Sequence, residues 1–153
     1  MNEMKEIEIG KVVLNVGVGM GGKDLTNAEE VLEEITGHQP VRTRAKQSNQ
    51  SFDMREGSPV GCKVTLRDEE AVENLKKLLE VKSNELEDSA FDGYGTFSFG
   101  IEEHIEVPGM DYNPDVGIFG FDVTVRLVRP GFRVKERRRK PSSIPDSHLI
   151  TYI

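Results

Sequence analysis

The sequence predicts a single α+β domain in which two helices pack on one face of a largely antiparallel sheet. Five segments alternate apolar and polar residues, two segments repeat apolar residues at helical spacing, and glycine- or proline-rich turns separate them. The chain has 153 residues, which is enough for one domain with a sizeable core. The sheet face without helices is therefore expected to be exposed, and polar or basic.

The first strand is predicted in residues 7–17, where Val12, Leu14 and Val16 share one face and Asn15 lies on the other. A glycine-rich turn follows and leads into a helix in the run KDLTNAEEVLEEITG. Its apolar residues follow helical spacing: Leu25, Ala28, Leu32 and Ile35. Either Asp24 or Thr26 is expected to cap this helix, and Gly37 is placed to end it.

The next two strands carry the first basic stretch. In residues 41–46, alternation places Arg42, Arg44 and Lys46 together, opposite Val41, Thr43 and Ala45. Residues 47–57 are polar and are predicted to form a loop. In residues 60–67, alternation turns one set inward, namely Val60, Cys62, Val64 and Leu66, and the other outward, namely Gly61, Lys63, Thr65 and Arg67.

A second amphipathic helix is predicted after Asp68, with its apolar residues at Ala71, Val72, Leu75, Leu78 and Leu79. Alternation of Phe97, Phe99 and Ile101 predicts a fourth strand. Residues 121–129 predict the last strand, with Thr124 and Arg126 outward, and Pro130-Gly131 closes it. Both helices are rich in glutamate, so their exposed faces are expected to be acidic.

Several classes of protein find no support in the sequence. No apolar run approaches the roughly 18 residues of a membrane span, and the start of the chain does not resemble a signal peptide. Cys62 is the only cysteine, and its place on an apolar strand face predicts a core residue. The three histidines are scattered, so no metal site, cofactor or catalytic constellation is predicted. These features suit a non-enzymatic cytoplasmic protein.

The charge is unevenly distributed. The net charge is −7, yet residues 41–67 carry six Lys and Arg against two acidic residues, and residues 126–140 carry eight against one. Local field governs binding more than total charge, because charges beyond about 10 Å are largely screened at cellular salt. Two interpretations stay open on charge alone: alternating acidic helices and basic strands, or a surface that binds nucleic acid.

The glycine-rich turn suggests a competing class. The segment from Gly17 to Gly22 fits G-x-G-x-x-G after a strand and before a helix, as in a dinucleotide-binding oxidoreductase. The segment after the helix is basic and offers no acidic residue to hold a ribose hydroxyl, and no alternating βα units follow. The alternative is a flexible turn whose backbone N–H groups, at Gly17 and Gly19, meet an RNA phosphate.

The densest basic run is Arg137-Arg138-Arg139-Lys140. Either it is a solvated tail, or it is an arm that orders on phosphates and releases counterions. We favour the arm, because Arg129, Arg133 and Lys135 precede it. The predicted division of the chain is an RNA-binding domain over residues 1–136 and a basic tail over residues 137–153.

Four collinear segments resemble the ribosomal protein L5 family over nearly the whole chain. They are KVVLNVGVG, PVRTRAKQSNQSFDMREGSPVGCKVTLRDE, FDGYGTFSFGIEEHIEVPGMDY and VGIFGFDVTVRLVRPGFRV. The segment RPGFRV, the arginine-rich run and IPDSHLIT resemble the archaeal and eukaryotic branch. The resemblance implies an α+β protein with a curved sheet, located in the central protuberance of the large ribosomal subunit. It implies 5S rRNA, large-subunit rRNA, P-site tRNA, neighbouring central-protuberance proteins and the small-subunit head as partners, and no membrane.

The resemblance and the basic stretches together predict the rRNA-binding residues. The resemblance implies a first group on the sheet: Asn15, Arg42, Thr43, Arg44, Lys63, Thr65 and Arg67. The backbone N–H groups of the glycine-rich turn add Gly17 and Gly19. The second group extends into the C-terminal arm: Arg126, Arg129, Arg133, Arg137, Arg138 and Arg139. Simple alternation places Thr43 opposite Arg42, so a twist or bulge is needed for both to face the same RNA.

The resemblance also implies that the loop between the second and third strands reaches toward P-site tRNA. The predicted contact residues are Lys46, Gln47, Ser48, Asn49, Gln50, Ser51 and Arg55. This loop has few cations, which favours light polar contacts over a strong phosphate clamp. The sequence ends at Ile153, whereas members of this branch usually continue into a C-terminal helix. An RNA-binding protein outside the ribosome remains a further alternative.

Overall fold

A computed structural model describes residues 3–18, 23–44, 46, 57–83, 85–86, 88–91, 95–107, 110 and 114–150. Its strands are β1 (Glu8–Gly17), β2 (Val41–Arg44), β3 (Pro59–Leu66), β4 (Thr96–Ile101) and β5 (Phe121–Val128). Its α-helices are α1 (Lys23–Thr36), α2 (Asp68–Val81) and α3 (Arg133–Glu136). No helix in these ranges is long and apolar enough to span a membrane.

The five strands form one antiparallel sheet in the order β2-β3-β1-β5-β4. The first strand in the chain is therefore the central strand. It pairs with β3 through Val12↔Leu66 and Leu14↔Val64, and with β5 through Val12↔Val125 and Leu14↔Val123. This arrangement confirms the predicted α+β fold.

Helices α1 and α2 lie on one face of the sheet because each carries a single apolar stripe that must be buried. In α1 the stripe is Leu25, Ala28, Val31, Leu32 and Ile35, and in α2 it is Ala71, Leu75 and Leu78. The facing sheet residues are buried with them: Val12, Leu14, Val16, Cys62, Val64, Leu66, Phe97, Phe99, Ile101, Phe121, Val123 and Val125. Val72, which was predicted with the apolar stripe, is 36% exposed.

The start of α1 differs from the prediction, and its end confirms the prediction. The helix begins at Lys23, so Asp24 and Thr26 lie within its first turn, where neither can be the residue preceding the helix. Gly37 follows the last turn with φ 76°, and its N–H donates to the Glu33 carbonyl oxygen over 2.7 Å. A left-handed glycine in this position ends a helix without the strain that a Cβ would add.

Cys62 is a core residue, as its strand face predicted. It is fully buried, and burial, with the nearby Glu29 carboxylate, raises the pKa of its thiol to about 11 against a smaller opposing effect of Arg42. A thiol with such a pKa stays protonated at neutral pH, and it packs as a small apolar side chain.

His104 is a buried polar residue that fixes the segment leading into β5. Its Nδ1 accepts a hydrogen bond from the Phe119 N–H at 3.1 Å, and its own backbone N–H donates to the Phe119 carbonyl oxygen at 2.9 Å. Burial lowers the pKa of the imidazole below its ordinary value, against a weaker opposing effect of Glu34. The neutral ring therefore suits this site.

The C-terminal residues fold back on the domain. The short helix α3 was not predicted, because its four residues have no helical repeat to detect. Beyond it, Ser142 N–H donates to the Val134 carbonyl oxygen at 2.8 Å, and His148 Nε2 contacts the Pro130 carbonyl oxygen at 2.7 Å. Ile150 is 8% exposed and packs beside Gly95. The domain boundary at residue 136 stays a prediction.

Candidate nucleic-acid interface

The sheet face turned away from α1 and α2 carries most of the candidate residues and is called the open face below. Its residues are those that alternate with the buried core residues, because successive side chains of a strand point to opposite faces. Cross-strand pairing arranges them in four rows that run across the strands. Each row has its own chemistry.

The first row is basic. Lys11 pairs with Arg126, and Arg126 pairs with Thr96 on β4. Arg67 follows Leu66, which pairs with Val12, so Arg67 extends the row on the β3 side. We call these residues, Arg67, Lys11 and Arg126 with Thr96, the basic row. Cations placed side by side in this way suit the closely spaced phosphates of a nucleic-acid strand.

The second row carries hydroxyl groups. Val13 on the central strand pairs with Thr65 on β3 and with Thr124 on β5, and Thr124 pairs in turn with Ser98 on β4. Three of the four positions therefore present a hydroxyl that can both donate and accept a hydrogen bond. Such groups suit the 2′-hydroxyls and phosphate oxygens of RNA.

The third row is mixed in charge. Asn15 pairs with Lys63 on one side and with Asp122 on the other, and all three are exposed. Val41 on β2 pairs with Lys63 and is 64% exposed. The β1–β3 side of this row is therefore attractive to phosphate, whereas the β5 side is repulsive at Asp122.

The fourth row consists of small residues. Gly17 pairs with Gly61, and Gly61 pairs with Thr43. A Cβ on Gly61 would lie 2.4 Å from the Val16 carbonyl oxygen and 2.9 Å from Thr43 Oγ1, so no other residue fits there without a shift. The absence of a side chain at Gly61 makes room for Thr43 on the neighbouring strand, and of the two glycines only Gly17 is exposed.

Arg42 is a correction to the alternation argument. It pairs with Cys62, whose side chain is buried on the helix side, and its guanidinium forms an ion pair with Glu29 of α1. The prediction that Arg42 shares the outward face of Lys63 is therefore wrong. Alternation within a four-residue strand does not show which side chains face the helices and which lie on the open face. The pairing with β3 shows this, and it places Thr43 on the open face beside Gly61.

Arg44 lies at the end of β2, beside a bulge in β3. The β2–β3 register shifts between Thr43 and Arg44, so that Arg44 pairs with Pro59 and Val60 is passed over. The extra residue of this bulge lies in β3, so Thr43 and Arg44 remain consecutive residues of β2. Arg44 is exposed at the edge of the sheet.

The C-terminal arginines lie beside the basic row. Arg126 forms an ion pair with Glu136 of α3, which brings α3 over that end of the open face. Arg137 Nε donates to the Lys140 carbonyl oxygen at 2.8 Å, so the basic run turns back on itself. The side chains of the run are exposed, as are Arg133 and Lys135.

Some candidate residues are outside the described residues. They are Gly19 of the glycine-rich turn, and Gln47, Ser48, Asn49, Gln50, Ser51 and Arg55 of the loop predicted to contact tRNA. Lys46 is described and exposed. Among the described residues, no group of three or more His, Cys, Asp or Glu is arranged to hold a metal ion.

Sequence reasoning missed four residues of the open face: Lys11, Thr96, Ser98 and Asp122. Lys11 lies two residues before Val13 and four before Asn15, on the same face of β1, so alternation alone would have found it. The other three depend on β4 and β5 lying next to β1, which no local pattern reveals. Asp122 matters most, because it places a negative charge on an otherwise attractive surface.

Acidic and basic groups are separated by the sheet. The glutamates of α1 and α2 lie on the helix side, with Glu30, Glu33, Glu69 and Glu80 exposed. The basic row, Lys63 and the C-terminal arginines lie on or beside the open face. A negative net charge is thus compatible with a locally positive surface.

Comparison with known families gives two matches that together span most of the chain. Residues 2–55 match the model of Ribosomal protein L5, and residues 59–144 match the model of the C-terminus of the same ribosomal protein family. The two matches divide the chain between β2 and β3, although both parts contribute strands to one sheet.

Two archaeal proteins are similar over nearly the full chain. A protein described as large ribosomal subunit protein uL5 from Sulfolobus acidocaldarius is 47% identical over 150 residues, covering 98% of this chain and 84% of its own. The protein of the same description from Sulfurisphaera tokodaii is 48% identical over 148 residues, covering 97% of this chain and 84% of its own.

Proposed function

The chain belongs to the ribosomal protein L5 family, and on that premise we propose that its open face binds 5S rRNA and helps to attach it in the central protuberance. The coarser conclusion is direct: this is a protein of the large ribosomal subunit, and it works in the cytoplasmic ribosome. Its relatives are structural ribosomal proteins, which supports the non-enzymatic prediction and sets aside the oxidoreductase alternative.

The observation that carries the proposal is the layout of the open face. A basic row, a hydroxyl row and an exposed Lys63–Asn15 pair follow one another along β1 and β3. This order suits RNA better than DNA, because hydroxyl side chains can meet 2′-hydroxyl groups while the cations meet phosphates. The acidic helices on the other face would repel RNA, and this orients the protein.

Asp122 narrows the proposed RNA footprint. It lies between Asn15 and Gly100 in the third row, on the β5 side. The attractive positions of that row, Lys63 and Asn15, are on the β3 side. We therefore place the 5S rRNA backbone along β1 and β3 and keep Arg44 and Thr43 at its margin.

The tRNA proposal concerns the opposite end of the open face from the basic row. The chain leaves β2 at Arg44 and returns at Pro59, next to the glycine pair Gly17–Gly61. From Gly61 to Arg67 a strand advances roughly 20 Å. The points where the chain leaves β2 and enters β3 are thus separated from the arm that borders the basic row. This supports different ligands: P-site tRNA for the residues between β2 and β3, and large-subunit rRNA for the arm.

Filter binding to 5S rRNA across a salt series tests the main proposal. Lys63→Ala should weaken binding and lower the slope of log K against log salt by about 0.7–0.9, as expected for one lost phosphate contact. Arg42→Ala is the matched control, because Arg42 is one pairing step away but on the helix side. Equal effects of the two substitutions would contradict the proposed interface.

A second measurement separates the loop from the open face. Replacing residues 48–51 with glycine should leave 5S rRNA binding unchanged and weaken P-site tRNA binding by assembled large subunits. Loss of 5S rRNA binding in this variant would contradict the division into two surfaces. Cosedimentation of each variant with large subunits shows whether it still assembles.

A further inference from the structure

A basic cavity of about 480 Å³ lies where α3 meets the end of the open face. It is continuous with the basic row, since it includes Lys11 and Arg126, and α3 closes it on the other side. Its charged lining comprises five cations and one carboxylate: Lys11, Arg67, Arg126, Arg129, Arg133 and Glu136. So many cations around one concave site repel each other unless an anion is held among them.

Glu136 supplies that anion in the free protein. Its carboxylate accepts a hydrogen bond from Arg126, and this bond, the charge of Arg126 and the nearby Lys11 and Lys135 hold the pKa of Glu136 below its ordinary value. Carboxylate and phosphate present similar pairs of oxygens to a guanidinium fork. The Glu136 side chain is 54% exposed, so it can leave without unfolding the domain.

Arg129 adds a positive charge to the same lining. Its guanidinium contacts the C-terminal segment, with NH1 3.4 Å from the carbonyl oxygens of His148 and Leu149. Its Nε is buried and has no hydrogen-bond partner in the part of the chain that the structure describes. Arg129 therefore contributes charge to the cavity, whereas the exposed Arg133 offers donors to an anion there.

We propose that this cavity binds a backbone phosphate of ribosomal RNA, and that Glu136 occupies the phosphate position until the RNA displaces it. The inference rests on the proposed rRNA-binding function and adds a defined anion site with a built-in competitor. The Glu136 carboxylate neutralises the cations in the free protein and weakens the binding of every anion, which favours a ligand that is also held at several other points.

Nuclear magnetic resonance of the ¹⁵N-labelled full chain tests the site with inorganic phosphate as the probe. Phosphate is titrated at constant ionic strength while the Nε–H signals of Arg126 and Arg133, two cations of the cavity lining, are followed. Both signals should shift, and Glu136→Gln should lower the apparent Kd by about two- to five-fold, which is the range of an exposed ion pair. Glu30→Gln, an exposed glutamate of α1, is the control and should match the wild type. Identical Kd values for the two variants would overturn the proposal.

The RNA source is tested separately with 5S rRNA and large-subunit rRNA as probes in filter binding. Glu136→Gln should strengthen binding of one of them by a similar factor, and the gain should vanish in an Arg126→Gln background. A response to phosphate without a response to either RNA would overturn the RNA assignment. If the wild type binds 5S rRNA and Glu136→Gln changes the affinity for neither RNA, this inference fails and the proposed function stands. If the wild type does not bind 5S rRNA at all, the proposed function fails.

Discussion

At the scale of single residues, two glycines that face each other have opposite tolerance to a side chain. Gly17 and Gly61 are paired across β1 and β3. An added Cβ meets nothing within 4 Å at Gly17, whereas at Gly61 it would lie 2.4 Å from a backbone oxygen. A backbone atom cannot move aside as a flexible side chain can, so the two strands would have to shift.

We therefore expect Gly61→Ala to lower the free energy of unfolding by about 2 kcal/mol. Gly17→Ala is the matched control and should change it by less than about 0.5 kcal/mol, since its site is open and exposed. Urea unfolding followed by circular dichroism measures both. A Gly61→Ala protein as stable as the Gly17→Ala protein would show that the strands relax freely at this pair.

His104 predicts a pH dependence of stability. Its pKa is lowered in the folded protein and returns to about 6.5 in the unfolded chain. Below about pH 6.5 the unfolded state therefore binds more protons than the folded state, and stability falls as the pH drops through this range until the folded pKa is reached. Above the unfolded pKa this group contributes no pH dependence.

The measurement is the difference between wild type and His104→Gln in unfolding free energy from about pH 7.5 to about pH 5. The wild type should lose more stability over this range, because glutamine does not titrate. His38→Gln is the control, since His38 is exposed and pairs with Glu70 at the surface. Parallel pH profiles for wild type and His104→Gln would contradict the expectation.

At the scale of elements, local patterns predicted the positions of the helices and strands well. They failed where strand pairing decides which face of the sheet a side chain occupies. The apolar stripes of α1 and α2 located both helices, because helical spacing is a strong local signal. The four residues of β2 predicted the right strand and the wrong face for Arg42. A one-residue change of phase flips every side chain, and only the pairing with β3 fixes that phase.

The prediction of the candidate site from the sequence was limited in the same way. Lys63 and Thr65 were assigned correctly to the outer face because β3 has a long apolar alternation ending in buried Leu66. Asp122, Ser98 and the cavity under α3 escaped prediction, since each depends on which strands are neighbours. Strand order is set by contacts between distant parts of the chain, so the sequence of a single segment does not reveal it.

The C-terminal segment is an element whose anchoring can be tested. Ile150 is 8% exposed beside Gly95, and Arg129 contacts the carbonyl oxygens of His148 and Leu149. We expect Ile150→Ala to destabilise the domain by about 2 kcal/mol, the lower end for truncating a buried isoleucine. Ile118→Ala is the control, because Ile118 is 49% exposed. Equal melting temperatures for the two variants would show that the segment contributes nothing to the fold.

At the scale of the whole molecule, the sheet separates two fields of opposite sign. The net charge of −7 arises mainly on the helix side, and the open face carries Lys11, Lys63, Arg67 and Arg126. Because charges beyond about 10 Å are screened, RNA on the open face responds to local charges and little to the helices.

Asp122 gives a test of this separation. Asp122→Asn removes a negative charge from the open face and should strengthen 5S rRNA binding about two- to five-fold at low salt, with the gain shrinking as salt rises. Glu33→Gln removes the same charge from the exposed side of α1 and should leave the affinity unchanged. If both variants gain equally, total charge and not the local field governs binding.

The central position of β1 has a consequence for how the protein is made. The strand synthesised first is the one that needs both neighbours, and its pairing with β5 must wait until residues 121–128 have emerged. Until then the nascent chain displays Val12, Leu14 and Val16 without a completed sheet, a condition that invites chaperone binding or aggregation. Residues 8–44 lack β3 and β5, the two neighbours of β1, so the sheet is completed only after residue 128 has been synthesised.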